Sequence, residues 1–243
     1  MSELDLIALG IWRIPIPLPE AGGRGSVNVW AIEDLDAGIT LFDSGHGGPE
    51  SQAALVRGLA QAGATLDDVQ RIILSHAHLA HFGGAPRIVE AARREVGVFA
   101  SAEDARCMGC ALAGVHSLRE GDRFRFRRFA ATALALPGHT AGLMGLLAED
   151  AGILFSSDHL VNGMYPTPTV QRDWARPGLD PIAAYRASLR RVAALAVQVV
   201  LPGRGEPFGG HRRVVREVLA ALHLRDGTPC IEPQAADAAH HAP

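Results

Sequence analysis

The sequence predicts an α/β protein in which two β-sheets pack face to face beneath outer helices, an αββα sandwich. Three observations carry that prediction. Short apolar runs cluster early in the 243 residues and again in the middle, helical patterns are interspersed with them, and no repeat, low-complexity tract or long linker divides the chain. With 48% hydrophobic and 20% charged residues, the composition is that of a globular protein able to bury a substantial core.

Taken in order, residues 4–9, 27–32 and 39–42 are apolar runs of strand length. Residues 49–62 follow a helical pattern, with Pro49 suited to the first turn, where its missing N–H costs nothing. The run 71–74 is strand-like and 85–94 helical, while Arg123-Phe124-Arg125-Phe126-Arg127 alternates with period two, as a strand with Phe inward and Arg solvated. Strand-like runs return at 132–136, 143–147, 153–155 and 197–201, and helices at 181–194, again with proline first, and at 211–222. Residues 157–180, carrying Pro166, Pro168 and Pro177, read as a long loop of the kind that is usually functional. One domain spanning 1–225, followed by a polar, Ala-rich tail at 226–243, is the simplest division.

A net charge of −3 gives no general attraction for nucleic acid or anionic membrane. The opening Met1-Ser2-Glu3-Leu4-Asp5 has neither a basic nor an apolar signal region, and no apolar run approaches the ~20 residues of a membrane span. Three cysteines, an odd number, suit a reducing compartment, so a cytoplasmic location is expected. Cys107-Met108-Gly109-Cys110 lies in a helix-like stretch without a second pair and reads as structural. Phe42-Asp43-Ser44-Gly45-His46-Gly47-Gly48 lacks phosphate-loop spacing and reads as a turn feeding a helix; His211, His223, His240 and His241 read as surface residues.

The chemistry concentrates in four segments that share one grammar, an apolar strand, then a small or turn residue, then a candidate ligand. They are Ile72-Ile73-Leu74-Ser75-His76-Ala77-His78, Leu134-Ala135-Leu136-Pro137-Gly138-His139, Ile153-Leu154-Phe155-Ser156-Ser157-Asp158-His159 and Val199-Val200-Leu201-Pro202-Gly203-Arg204-Gly205. Strand ends are where a sheet gathers side chains into a crevice.

In this order and spacing, the segments resemble the metallo-β-lactamase superfamily in its glyoxalase II-like and lactonase-like branches, over about residues 10–222. The resemblance implies two mixed sheets flanked by helices. It implies His76, His78 and His139 as ligands of a first metal, Asp158 as a bridging carboxylate, His81 as a histidine of a second site, and Asp43 as a support beneath the metals. Two positions depart from the family's HxHxDH and PGHG patterns. Ala80 stands at the acidic position and Arg204 at the histidine, and neither offers a lone pair to a metal. Only the first site keeps its ligands, so one metal per chain is expected, with zinc the natural match to three imidazoles. Arg204 would then pair with Asp158 or hold a substrate carboxylate or oxyanion, and His81 would be free to act as an acid or base. His159, Tyr165 and Trp174 are the candidates for a substrate pocket.

The expected activity is hydrolysis of an ester, thioester, lactone or amide in a small acyl substrate. Two alternatives stay open at this point. One is a metal-binding or regulatory member without turnover, favoured by the double loss at one site. The other is Fe(II) oxygen chemistry on His76, His139 and Asp158.

Overall fold

The computed structural model describes residues 1–19, 25–109, 112, 114–164, 178 and 180–224. Helix α1 (Glu3–Ala8) precedes a first sheet of six strands in spatial order: β1 (Ile11–Pro17), β2 (Ser26–Glu33), β3 (Ile39–Phe42), β4 (Val69–Ile73), β5 (Gly97–Ala100) and β6 (His116–Ser117). β1, β2 and β3 pair antiparallel, and β3 through β6 run parallel. Along that half lie α2 (Pro49–Gln61), α3 (Leu79–Phe82), α4 (Ala85–Ala91) and α5 (Ala102–Ala105). The second sheet comprises β7 (Arg123–Arg125), β8 (Ala130–Ala135), β9 (Met144–Ala148), β10 (Ile153–Ser157) and β11 (Val199–Pro202), ordered β11-β10-β9-β8-β7, with only β10 and β11 parallel. Helices α6 (Pro181–Ala194) and α7 (His211–Leu224) pack on this second half.

The layering follows from period-two patterning. In β2, Val27, Val29 and Ala31 join a core with Leu55 and Leu59 of α2 and Ile88 of α4. Trp30 and Ile32, on the opposite face, join the core between the sheets with Phe42, Phe124, Phe126 and Phe155. β10 divides likewise, with Ile153 and Phe155 between the sheets and Leu154 under Tyr185, Leu189 and Val215 of the outer helices. Two mixed sheets between helical layers are therefore the expected αββα sandwich.

Three expectations are corrected. Residues 4–9 form helix α1 rather than a strand, because Ser2 and Asp5 cap it reciprocally (Ser2 N to Asp5 Oδ2, 2.7 Å) and only Leu6 of the helix is buried. The helix expected over 85–94 stops at Ala91. His211 is 2% exposed rather than a surface residue. Cys107 follows α5 in a turn, His223's side chain is not described, and Cys110, His240 and His241 lie outside the described residues.

Candidate metal centre

β4 carries the chain to the rim of the first sheet, where Leu74 N still bonds Phe99 O and Met144 N reaches across from the second sheet to Ser75 O at 2.8 Å. Extended backbone beyond the strand brings His76 and His78 to one point. The short α3 then folds back, with His81 N bonding His78 O at 2.8 Å, and buries His81 on the inner side. His139 arrives from the turn after β8, Asp158 from the end of β10, and Arg204 from the turn after β11. The sequence places these residues apart, and the structure brings all of them together.

His76, His78 and His139 form a compact group of possible ligand atoms, all within 4.8 Å of one another. His78 Nδ1 lies 2.9 Å from His76 Nε2 and 2.9 Å from His139 Nε2. Burial first, and neighbouring histidines second, push the pKa values of His76 and His78 well below the usual imidazole value, so both are neutral. The hydroxyl network sets the tautomer of His76. Ser75 Oγ donates to Asp43 Oδ2 (2.9 Å) and lies 2.8 Å from His76 Nδ1. A serine hydroxyl has one proton, so it accepts from the Nδ1–H of His76, and the lone pair on Nε2 faces the other two rings. Converging imidazole nitrogens with a fixed tautomer fit a divalent cation.

Asp43 is the hub beneath this group. Its Oδ1 accepts from Ser75 N (2.8 Å), and its Oδ2 accepts from Ser75 Oγ, Ser157 Oγ (2.9 Å) and His81 Nδ1 (2.8 Å). A second compact group, Asp43, His76 and His81, is within metal-binding distance, but those donors already engage both Asp43 oxygens. Both Asp43 and Ser157 adopt left-handed backbone, φ 65° and 47°, a local cost of the kind found at functional sites.

Asp158 stands at the edge of the cluster and belongs to neither compact group. Its Oδ2 is 3.2 Å from His81 Nε2, 3.8 Å from His139 Nε2 and 3.0 Å from Arg204 Nε. Burial alone would raise the Asp158 pKa, but His81 and Arg204 hold it well below the usual carboxylate range. His81 is 0% exposed. Burial would depress its pKa, yet the carboxylates of Asp158 and Asp43 on either side push it up to about 9. The two carboxylates thus favour its protonated form at neutral pH. Ala80 is half-buried on α3. The Arg204 turn is locked from the first sheet, since Asn28 Nδ2 donates to Pro202 O (3.0 Å) and Gly205 O (2.8 Å), and Trp30 Nε1 to Pro202 O (3.1 Å). Glycine is required at 203, where a Cβ would meet Asp158 Oδ1 at 2.5 Å and His81 Cε1 at 2.9 Å. His159 is fully buried with its ring edge-on to Tyr185 at 5.1 Å. Tyr165 and Trp174 lie outside the described residues.

Sequence reasoning missed Asp104. Its Oδ2 accepts from Ala77 N and Thr140 Oγ1, and its Oδ1 from Gly142 N, each at 2.8 Å. Ala77 separates His76 from His78, and Thr140 follows His139, so one buried carboxylate ties together the two segments that carry the histidine trio. Gly142 permits the approach, since a Cβ there would sit 2.5 Å from Asp104 Oδ1. Asp104→Ala is expected to weaken metal affinity about 10- to 100-fold, the usual effect of losing an outer support, as measured by competition with a chromophoric chelator. Unchanged affinity would show that the trio holds its geometry without the clamp.

Charge placement also sets a pH profile for the metal-free protein. The His81 pKa is raised to about 9, so its contribution is full below the unfolded value of 6.5 and is lost as pH rises through 9. His159, lowered by burial to about 3, and the similarly lowered His76 and His78 act in the opposite sense, since the unfolded chain takes up their protons as pH falls below 6.5. Melting temperature should therefore peak near neutral pH, and the alkaline decline should disappear in His81→Gln. An alkaline limb that His81→Gln leaves intact would contradict the buried imidazolium.

Residues 22–204 match the family model described as the metallo-beta-lactamase superfamily. The chain belongs to this superfamily. Among curated members, it is 26% identical to the probable metallo-hydrolase YqjP of Bacillus subtilis, covering 86% of this chain and 74% of that protein. It is also 26% identical to the thioesterase pkgB of Emericella nidulans, where the match covers 68% of this chain but only 42% of the relative. Among solved structures, a metallo-beta-lactamase family protein of Thermus thermophilus superposes with a TM-score of 0.77 at 22% identity, over 89% of this chain and 80% of that one. The superposition establishes the superfamily's αββα fold, and the histidine cluster able to hold a metal lies within the matched region.

Proposed function

We propose that the protein is a hydrolase with one zinc ion, held by His76, His78 and His139, that cleaves an ester, thioester, lactone or amide bond in a small acyl substrate. The observation that carries this reading is the compact trio of buried imidazoles, with a guanidinium rather than a further ligand beside Asp158. Three nitrogen ligands leave a coordination position for water, the arrangement of catalytic zinc. The ion, when bound, supplies Lewis acidity and lowers the pKa of water to about 7. The chain's own residues do the positioning. Asp43 and Ser75 fix the tautomer of His76. His81 and Arg204 hold Asp158 ionised, so that its Oδ2, 3.8 Å from His139 Nε2, accepts a hydrogen bond from the attacking water and orients it. The relatives named as a metallo-hydrolase and a thioesterase support acyl transfer to water as the reaction class.

The test is turnover of a panel of small esters, thioesters and lactones by protein purified without added metal, alongside His76→Ala. Hydrolysis that disappears in the variant supports the reading. Full metal loading without turnover would instead favour a binding protein, and bound iron with oxygen uptake would favour dioxygen chemistry.

A further inference from the structure

Among the described residues, Arg204 spends only one of its donors on the protein. Its Nε bonds Asp158 Oδ2 at 3.0 Å, and among the described residues no other hydrogen-bond acceptor engages its guanidinium. The Nη edge, which carries most of the guanidinium donors, is left over. Its location is defined by a shared atom, because Asp158 Oδ2 touches both Arg204 and, at 3.8 Å, the edge of the histidine trio at His139 Nε2. The side chain of His139 is 11% exposed and that of His81 0%, whereas the Arg204 side chain is 27% exposed. The guanidinium is therefore the part of this cluster that solvent reaches most readily. It is also preorganised, since Asn28 and Trp30 grip the backbone on both sides of it and Gly203 N bonds Ser157 O at 2.9 Å.

A fixed guanidinium with one edge tied and the other open presents the planar, two-donor fork that matches a carboxylate. We infer that Arg204 is the receptor for an anionic group of the substrate, so that the compound hydrolysed is an acyl compound carrying a carboxylate close to its scissile bond. The substrate part of this inference rests on the hydrolase reading above; the anion site itself does not. Asp158 has a structural share in the design, because by holding Nε it fixes the plane of the guanidinium.

The experiment compares two esters of matched shape, 4-nitrophenyl butyrate and mono-4-nitrophenyl succinate, in the wild type, Arg204→Gln and Arg204→Lys. In the wild type, the succinate ester should have a KM about 10- to 100-fold lower than the butyrate ester, the range of a charge-assisted, two-donor contact. In Arg204→Gln the ratio of the two KM values should fall close to one. Arg204→Lys keeps a charge against Asp158 without the fork and should retain only part of the preference, which keeps the test decisive if the glutamine variant fails to fold. Equal KM values in the wild type would overturn the inference, as would a preference that survives both substitutions. So would a fall in kcat common to both esters with the KM ratio intact, since that pattern belongs to oxyanion stabilisation. Calorimetric titration with succinate separates anion binding from hydrolysis. If neither ester is hydrolysed but succinate binds the wild type and binds Arg204→Gln at least tenfold more weakly, the hydrolase reading fails and the anion site stands. If succinate affinity is the same in both proteins, the anion site fails whatever the esters show.

Discussion

Alanine at His139 is expected to abolish tight metal binding, while alanine at His81 leaves close to one ion per chain. His139 belongs to the compact trio, and His81 is committed to Asp43 and Asp158 instead. Zinc sites with four protein ligands are worth about 10–16 kcal/mol, so losing one ligand costs several kcal/mol, on the order of a 100- to 1000-fold weakening. The His81 change acts on a different quantity. It leaves two buried carboxylates without the cation between them, and breaking a buried pair costs roughly 3–5 kcal/mol of stability. Metal titration and thermal melting of both variants therefore separate a ligand from a structural cation. Equal metal loss in the two would show that His81 is itself a ligand.

The second large effect is a gain. Ala80→Asp combined with Arg204→His is expected to add a second ion, because it supplies a carboxylate and an imidazole beside His81 and Asp158. The single changes should not suffice. A carboxylate at 80 with Arg204 still present favours an ion pair over metal, and histidine at 204 alone leaves the acidic position empty of ligands. The response should be strongly non-additive, as for residues that act as one unit. Metal stoichiometry across the wild type, both singles and the double variant measures it. A double variant that stays mononuclear would show that the pocket has been reshaped beyond its ligands, with His81 too firmly held by its two aspartates to be released.

How much of this was legible in the sequence depends on the range of the signal. Strand ends announced themselves through apolar runs closed by Ser-His, Pro-Gly-His, Ser-Asp and Pro-Gly-Arg, and each delivered its side chain to one rim of the sandwich. The Phe-Arg alternation of residues 123–127 was equally plain, since a period of two is local, and Phe124 of β7 and Phe126 just after it are indeed buried. The apolar content of residues 4–9 suggests a strand, but the Ser2–Asp5 cap, a side-chain signal also present in the sequence, decides for a helix. β1 carries Pro15 and Pro17, which interrupt a strand pattern. It is tolerated as an edge strand, where missing N–H groups are harmless. Asp104 had no motif at all, since its partners at 77, 140 and 142 converge only once the two sheets have packed. The charge state of His81 was hidden for the same reason, because it depends on aspartates 38 positions before it and far after it in the chain.

Whether the centre is mononuclear is read from the metal content of the protein purified without added metal and dialysed to remove loosely held ions, by elemental mass spectrometry. Close to one zinc per chain is expected, lost on substitution of His76, His78 or His139. Two tightly bound ions per chain, or one ion that survives removal of His139, would contradict it.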